Sequence, residues 1–145
     1  MATNPNDSFN LQRFVDAQSS VYERAQAELA AGQKRGHWIW FIFPQLVGLG
    51  MSAMSQEFGI SSLDEAKAYI NHRVLGARLR GCTQFVLSIQ GRSVDQIFGY
   101  PDNLKFRSSM TLFAQSTADN KIFKDALEKY FGGEGDPLTL ERLGI

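Results

Sequence analysis

The chain has 145 residues and a mass of 16.2 kDa, the size of one core and too small for two. Fifteen basic and fifteen acidic residues cancel, which excludes a chain-wide basic field for nucleic acid. A single cysteine, Cys82, with only two histidines excludes an internal disulfide framework and any multi-cysteine metal knuckle.

Met1 to Asn10 is polar, lacks the apolar segment of a signal peptide and is expected to be a disordered tail, with a single helical domain over residues 11–145. No run approaches the ~20 apolar residues of a membrane span. The expected location is therefore cytoplasmic, with no membrane, sequence-specific nucleic acid, metal or cofactor as partner. From Leu11 the pattern turns helical: Leu11, Phe14, Val15 and Gln18 share one face. A break is expected near Ser19, because Ser20 and Glu23 have capping-box spacing and restart a helix carrying Tyr22, Ala25 and Leu29 up to Gly32. The following KRGHWIWFIFPQL has strand-like propensity, but no other window alternates to pair with it. A short buried helix or irregular segment ending before Pro44 is expected instead.

Gly48 and Gly50 bracket a turn, and Met51, Met54 and Phe58 then fall on one helical stripe. Ser62 and Glu65 form a second capping box, ahead of Ala66, Tyr69 and Ile70. A longer helix runs from about Val74 with Leu75, Leu79, Cys82, Val86 and Ile89 on its apolar stripe, and His72 at its approach is expected to cap the C-terminus of the helix before. Ser93 and Gln96 make a third box; Pro101 and Asp102 open a helix holding Phe106, Met110 and Phe113. Ile122, Phe123, Ala126, Leu127 and Tyr130 line the last long helix, and Asp136 followed by Pro137 is a cap and first-turn pair for a short terminal one. The predicted fold is all-α: a single-domain array of seven to nine short helices with little or no sheet. Its expected core includes Phe14, Leu29, Trp40, Phe43, Leu79, Val86, Phe106, Phe113, Phe123 and Leu127.

Two constellations could carry chemistry. In PDNLKFRSSM the first turn of a helix, where acids are favoured, holds Lys105 and Arg107, followed by Ser108 and Ser109. Free N–H groups, cations and hydroxyls together suit a phosphate or carboxylate; the bland alternative is a solvated turn whose cations pair with Asp102. In the second constellation Lys34, Arg35 and His37 adjoin Trp38, Trp40, Phe43 and Gln45, a set able to stack a planar ring and pair with its phosphates, although aromatic runs in small proteins mostly form core. His37, with a reference pKa of about 6.5, is the candidate general acid or base, disfavoured as a cation by Lys34, Arg35 and partial burial; Lys34 is the second candidate for proton chemistry. Cys82 is expected in the core. Strong catalytic motifs are absent: there is no G-x-G-x-x-G, phosphate loop, HExxH, CxxC or G-x-S-x-G.

Three stretches, RFVDAQ, GHWIWFIFPQLVGLG and IFGYPDNLKFRSSMTLF, together resemble the family of small bacterial and fungal proteins known as domain of unknown function 1810, sometimes labelled calpastatin-like. The resemblance runs from about Phe14 to Leu143 and implies a small multi-helical protein; it carries over no catalytic residue. Gly36 departs from the pattern, standing where a serine often precedes the histidine. The calpastatin label finds no support, because an inhibitor of that type is a disordered chain. A link to helical proteins that handle NAD or ADP-ribose derivatives is a conjecture, and it adds an ADP-ribose-like compound to the ligands worth testing. The leading expectation is a protein that binds, and in its enzymatic form hydrolyses, a small anionic aromatic metabolite such as a nucleotide. Lys105, Arg107, Ser108 and Ser109 would grip the anion, Trp38 and Gln45 the ring, and His37 or Lys34 would move protons. The alternative is a non-enzymatic interaction or scaffold protein; convergence of the two segments on one cleft favours the first.

Overall fold

The computed structural model describes residues 7–145; Met1 to Asn6 of the expected tail lie outside the described residues. Ten helices follow one another among the described residues: α1 (Gln12–Ser19), α2 (Tyr22–Ala30), α3 (Ile39–Ile42), α4 (Ala53–Glu57), α5 (Leu63–Asn71), α6 (Arg73–Ser88), α7 (Val94–Phe98), α8 (Asp102–Ala114), α9 (Lys121–Phe131) and α10 (Pro137–Leu143). Seven of them have seven residues or more, and no strand occurs among the described residues. A lone parallel bridge joins Leu46 to Ile60 and ties the loop after α3 to the loop before α5.

Local chemistry decides most helix starts. Asp7 reaches forward to cap α1, its two carboxylate oxygens accepting from the N–H groups of Leu11 (2.6 Å) and Gln12 (2.9 Å). The break at Ser19 falls where expected, but the Ser20–Glu23 box does not form. Ser20 closes α1 in a helical conformation, whereas an N-cap needs an extended one, so Val21 precedes α2 with no side-chain cap. Ser62 does cap α5, while its box partner Glu65 turns elsewhere, accepting from the N–H and hydroxyl of Ser61 and pairing with Arg13 at 2.9 Å. Only Ser93 and Gln96 complete a reciprocal box. His72 is the C-cap residue of α5, as expected, its N–H donating to the Tyr69 carbonyl at 3.1 Å, and it also opens α6: its Nδ1 accepts from the N–H groups of Val74 and Leu75. Asp136 caps α10 as its sequence implies.

The helix α8 is the axis of the fold. Nine of its thirteen residues are buried, and it packs against α5, α7, α9 and α10, while α6 packs against α2, α5 and α9. A helix covered on so many sides cannot keep a clean polar face, which is why Ser108, Ser109 and Thr111 are buried with Phe106, Met110 and Phe113. The aromatic load forms two runs of ring contacts. One goes from Phe41 through Phe58, Phe14, Tyr69 and Phe113 to Phe123; the other joins Trp38, Phe43, Phe98 and Phe106. Edge-on and offset rings of this kind add about 0.5–1.5 kcal/mol per pair beyond area burial.

The segment WIWFIFP becomes the single turn α3, closed by the Phe43 N–H to Ile39 carbonyl bond of 2.9 Å and stopped by Pro44. Its Phe41 carbonyl is satisfied inside the core by Gln18 Nε2 (2.7 Å) and the Tyr69 hydroxyl (3.3 Å). Nine of the ten expected core residues are buried; Trp40 is only half-buried. Met51 lies outside α4 and is 87% exposed, so the stripe expected there begins at Met54.

Candidate functional site

The two constellations meet at the start of α8. Asp102, in its first turn, accepts the Lys34 ammonium at 2.6 Å on one carboxylate oxygen and the Lys105 ammonium at 3.3 Å on the other. The turn is therefore not inverted in charge: Asp102 supplies the acid that the helix dipole favours, and Lys105 pairs with it. Two cations share one carboxylate, with the Glu28 carboxylate also acting on Lys34 and Asp136 lining the cleft beside Lys105. The side chains are 5% (Lys34), 19% (Asp102) and 21% (Lys105) exposed, so these charges interact with little screening by solvent. Each ammonium also lies over an indole, Lys34 at 5.3 Å from the Trp38 ring and Lys105 at 4.7 Å from the Trp40 ring, the cation–π arrangement.

A second carboxylate shapes the loop that delivers Lys34. One Glu28 oxygen accepts from the Arg35 N–H (2.7 Å), the Gly36 N–H (2.9 Å) and Trp38 Nε1 (2.8 Å). Burial pushes the Glu28 carboxyl up, but the N–H groups of Gly36 and Arg35, the Trp38 indole and the Lys34 charge together outweigh it and hold the group below its ordinary value. The loop is anchored further by the Lys34 N–H to Ile97 carbonyl bond (2.7 Å) and by the Lys34 ammonium on the Gly36 carbonyl (2.6 Å). Gly36 fits this fold tightly, since a Cβ there would lie 2.9 Å from the Trp38 ring.

The expected site residues separate into three groups. Gln45, Lys105 and Ser108 line one cleft of about 240 Å³, with Leu49, Leu104 and Leu138 as apolar walls and Asp136 as a further polar member. Trp38 and Ser109 are interior: Trp38 is 1% exposed, and the Ser109 hydroxyl has no partner among the described residues. Trp38 thus packs as core while Trp40, expected in the core, stands at the edge under Lys105. The third group faces away. Arg107 donates to the Glu134 carbonyl (3.1 Å), lies 3.7 Å from the Glu134 carboxylate and covers the Phe131 ring. His37 is exposed rather than partly buried, and it makes no hydrogen bond among the described residues. Neither His37 nor Lys34 lines the cleft.

Asp136 was legible as a helix cap but not as a site residue. It reaches the cleft because α10 packs on α8, where Ser108 meets it across 28 positions of sequence. A second cleft, of about 380 Å³, lies between α8, α9 and the Gly133–Gly135 turn, and none of the expected site residues lines it. Among the described residues no group of three or more His, Cys, Asp or Glu is placed to hold a metal ion, and no helix is long and apolar enough to cross a membrane.

The family model described as "Protein of unknown function (DUF1810)" matches residues 8–143. The chain belongs to the DUF1810 family. A crystal structure titled as the conserved hypothetical protein Rv1873 from Mycobacterium tuberculosis is 53% identical, covering 98% of this chain and 99% of that one, with a TM-score of 0.93. No curated protein matches.

In this DUF1810 chain the cleft combines a cationic donor, a neutral amide, a hydroxyl and a carboxylate within aliphatic walls. That set can hold and orient a small polar molecule. Within it the Ser108 hydroxyl donates to the Asp136 carboxylate at 3.1 Å, while His37 lies outside.

Proposed function

We propose that this DUF1810 protein binds a small anionic metabolite, nucleotide-like in carrying a ring, in the cleft between the Gln45–Gly50 loop and α8. The observation that carries this reading is the convergence of Gln45, from the aromatic segment, with Lys105 and Ser108, from α8, on one cleft. Beside it stands the Lys34–Asp102–Lys105 cluster, in which one carboxylate serves two ammonium groups. An anion entering next to Lys105 meets an ammonium that shares Asp102 with Lys34, and charge-assisted bonds in a partly enclosed site are the stronger kind. Leu49, Leu104 and Leu138 suit the faces of a ring. The volume of about 240 Å³ lies below the ~300–1,000 Å³ of drug-sized pockets, which fits a small phosphorylated compound or one part of a nucleoside monophosphate. Because His37 and Lys34 stand outside the cleft, the geometry favours binding over hydrolysis.

Thermal melts across a panel of nucleotides and phosphorylated metabolites, on the wild type and on Lys105→Ala, test this. A ligand present at 100 times its Kd adds about 2.7 kcal/mol, an easily measured rise in melting temperature. The expected result is a rise with at least one anionic member in the wild type and none in Lys105→Ala. Equal rises in both proteins, or no rise with any member, would overturn the proposal.

A further inference from the structure

Within the proposed site one acceptor is left open. Asp136 uses a single carboxylate oxygen, Oδ2, to accept from the Thr139 N–H (3.1 Å) and hydroxyl (2.6 Å) and from the Ser108 hydroxyl (3.1 Å), whose one proton is shared with the Leu104 carbonyl (3.1 Å). Its own N–H donates to the Thr111 hydroxyl at 2.8 Å. The carboxylate is therefore fixed in place by α8 and α10, and Thr139 and Thr111 are themselves buried. The other oxygen, Oδ1, accepts nothing from the described residues and is not among the buried unpartnered atoms, so it is open to solvent. A carboxylate offers about four acceptor positions, and those on Oδ1 belong to a residue lining the same cleft as Lys105. Lys105 does not neutralise it, because its ammonium is paired with Asp102.

We propose that Asp136 is a specificity-determining residue, which selects anions that also carry hydroxyl groups: phosphorylated sugars or polyols, free or as the sugar-phosphate part of a nucleotide. The inference rests on the proposed site. A bare anion such as inorganic phosphate gains from Lys105 but is repelled by the fixed carboxylate. A molecule with a hydroxyl a few ångströms from its phosphate satisfies both, the phosphate accepting from Lys105 and Gln45 and the hydroxyl donating to Oδ1. A like charge held against the wrong ligand and an acceptor offered to the right one act together in discrimination of this kind.

Calorimetric titration of the full chain with inorganic phosphate, ribose 5-phosphate, 2-deoxyribose 5-phosphate and AMP tests it, using the wild type, Asp136→Asn and Lys105→Ala. Asparagine caps helices as well as aspartate does, so Asp136→Asn keeps α10 while removing the charge and one acceptor; Asp136→Ser, which also caps, replaces it if the first variant fails to fold. The wild type is expected to bind ribose 5-phosphate at least about tenfold more tightly than inorganic phosphate, the scale of one hydrogen bond to a charged group. Asp136→Asn should lose that preference and hold inorganic phosphate more tightly than the wild type does. A weaker 2-deoxy compound would place the 2-hydroxyl on Asp136, and AMP binding as well as ribose 5-phosphate would identify a nucleotide as a source. If Lys105→Ala abolishes binding while Asp136→Asn keeps the full preference, the site stands and the role of Asp136 is refuted. If no probe binds the wild type, or Lys105→Ala changes nothing, the site reading fails and this inference fails with it.

Discussion

Gly76 and Gly81 lie in the same helix, α6, yet replacing each by alanine should move stability in opposite directions. Helix propensity alone favours both changes by about 1 kcal/mol, because alanine loses less backbone freedom on folding. At Gly81 nothing lies within 4 Å of the added Cβ, so Gly81→Ala should keep that gain and raise the melting temperature by about 2–4 °C. At Gly76 the Cβ would stand 2.1 Å from the carbonyl oxygen of Ile70 and 3.0 Å from its carbon, where ordinary contact begins at 3.4 Å. The obstacle is main chain in the last turn of α5, so relief requires the α5–α6 corner to open by about 1.3 Å. That movement would pull on Tyr69, which is fully buried and bonded to Gln18 and the Phe41 carbonyl. Overpacking a well-filled core costs about 1–3 kcal/mol or more, and a backbone obstacle belongs at the upper end. Subtracting the propensity gain leaves a net loss of about 2 kcal/mol and a fall of about 4–8 °C. Paired urea and thermal unfolding of the two variants measures both signs. Stabilisation by both substitutions would refute the close approach of α5 and α6.

Phe123→Ala removes a fully buried ring that lies tilted against Phe113 at 6.0 Å and carries the Arg80 guanidinium at 5.4 Å; it should cost about 3–5 kcal/mol in denaturant unfolding, and a loss under about 1 kcal/mol would contradict that packing. Glu28 has its carboxyl held below the ordinary value of 4.5 in the folded chain, so its contribution is fully present above pH 4.5 and is lost as pH falls through the lower folded value. The melting temperature of the wild type should accordingly exceed that of Glu28→Gln at pH 7, with the gap closing below pH 4.5; a gap unchanged down to pH 3 would contradict the assignment. Burial pushes the Cys82 thiol up to about 12, and the residue is inaccessible, so a thiol reagent at pH 8 should label the denatured chain and spare the native one. Rapid labelling without denaturant would show that the α6 stripe is open.

What the sequence made legible is chiefly what is local. The Ser93–Gln96 box, the Asp136–Pro137 start and the glycine stop at Gly132 each depend on residues a few positions apart, and all appear as expected. The one-turn α3 was also legible, because a strand of strong propensity without a partner has nowhere to bond. Ser20 misled because an N-cap is a backbone conformation as much as a residue type, and the two-residue joint between α1 and α2 denies it that conformation. The exchanged roles of Trp38 and Trp40 were beyond reach for another reason. Which indole faces inward is decided by Glu28 on Trp38 and Lys105 over Trp40, partners ten and 65 positions away. The same holds for the site: Lys34 meets Asp102, and Ser108 meets Asp136, through packing that no spacing rule encodes.

The proposed anion in the cleft beside Lys105 can be sought in solution. The most direct measurement is a titration of ¹⁵N-labelled protein with AMP, followed by NMR. Progressive, saturable shifts of the Gln45, Leu49, Lys105 and Ser108 amides and of the Trp40 indole are expected, all lost in Lys105→Ala. Shifts confined to Gln115, Lys124 and Glu128, around the cleft between α8 and α9, or no shifts at millimolar AMP, would contradict it.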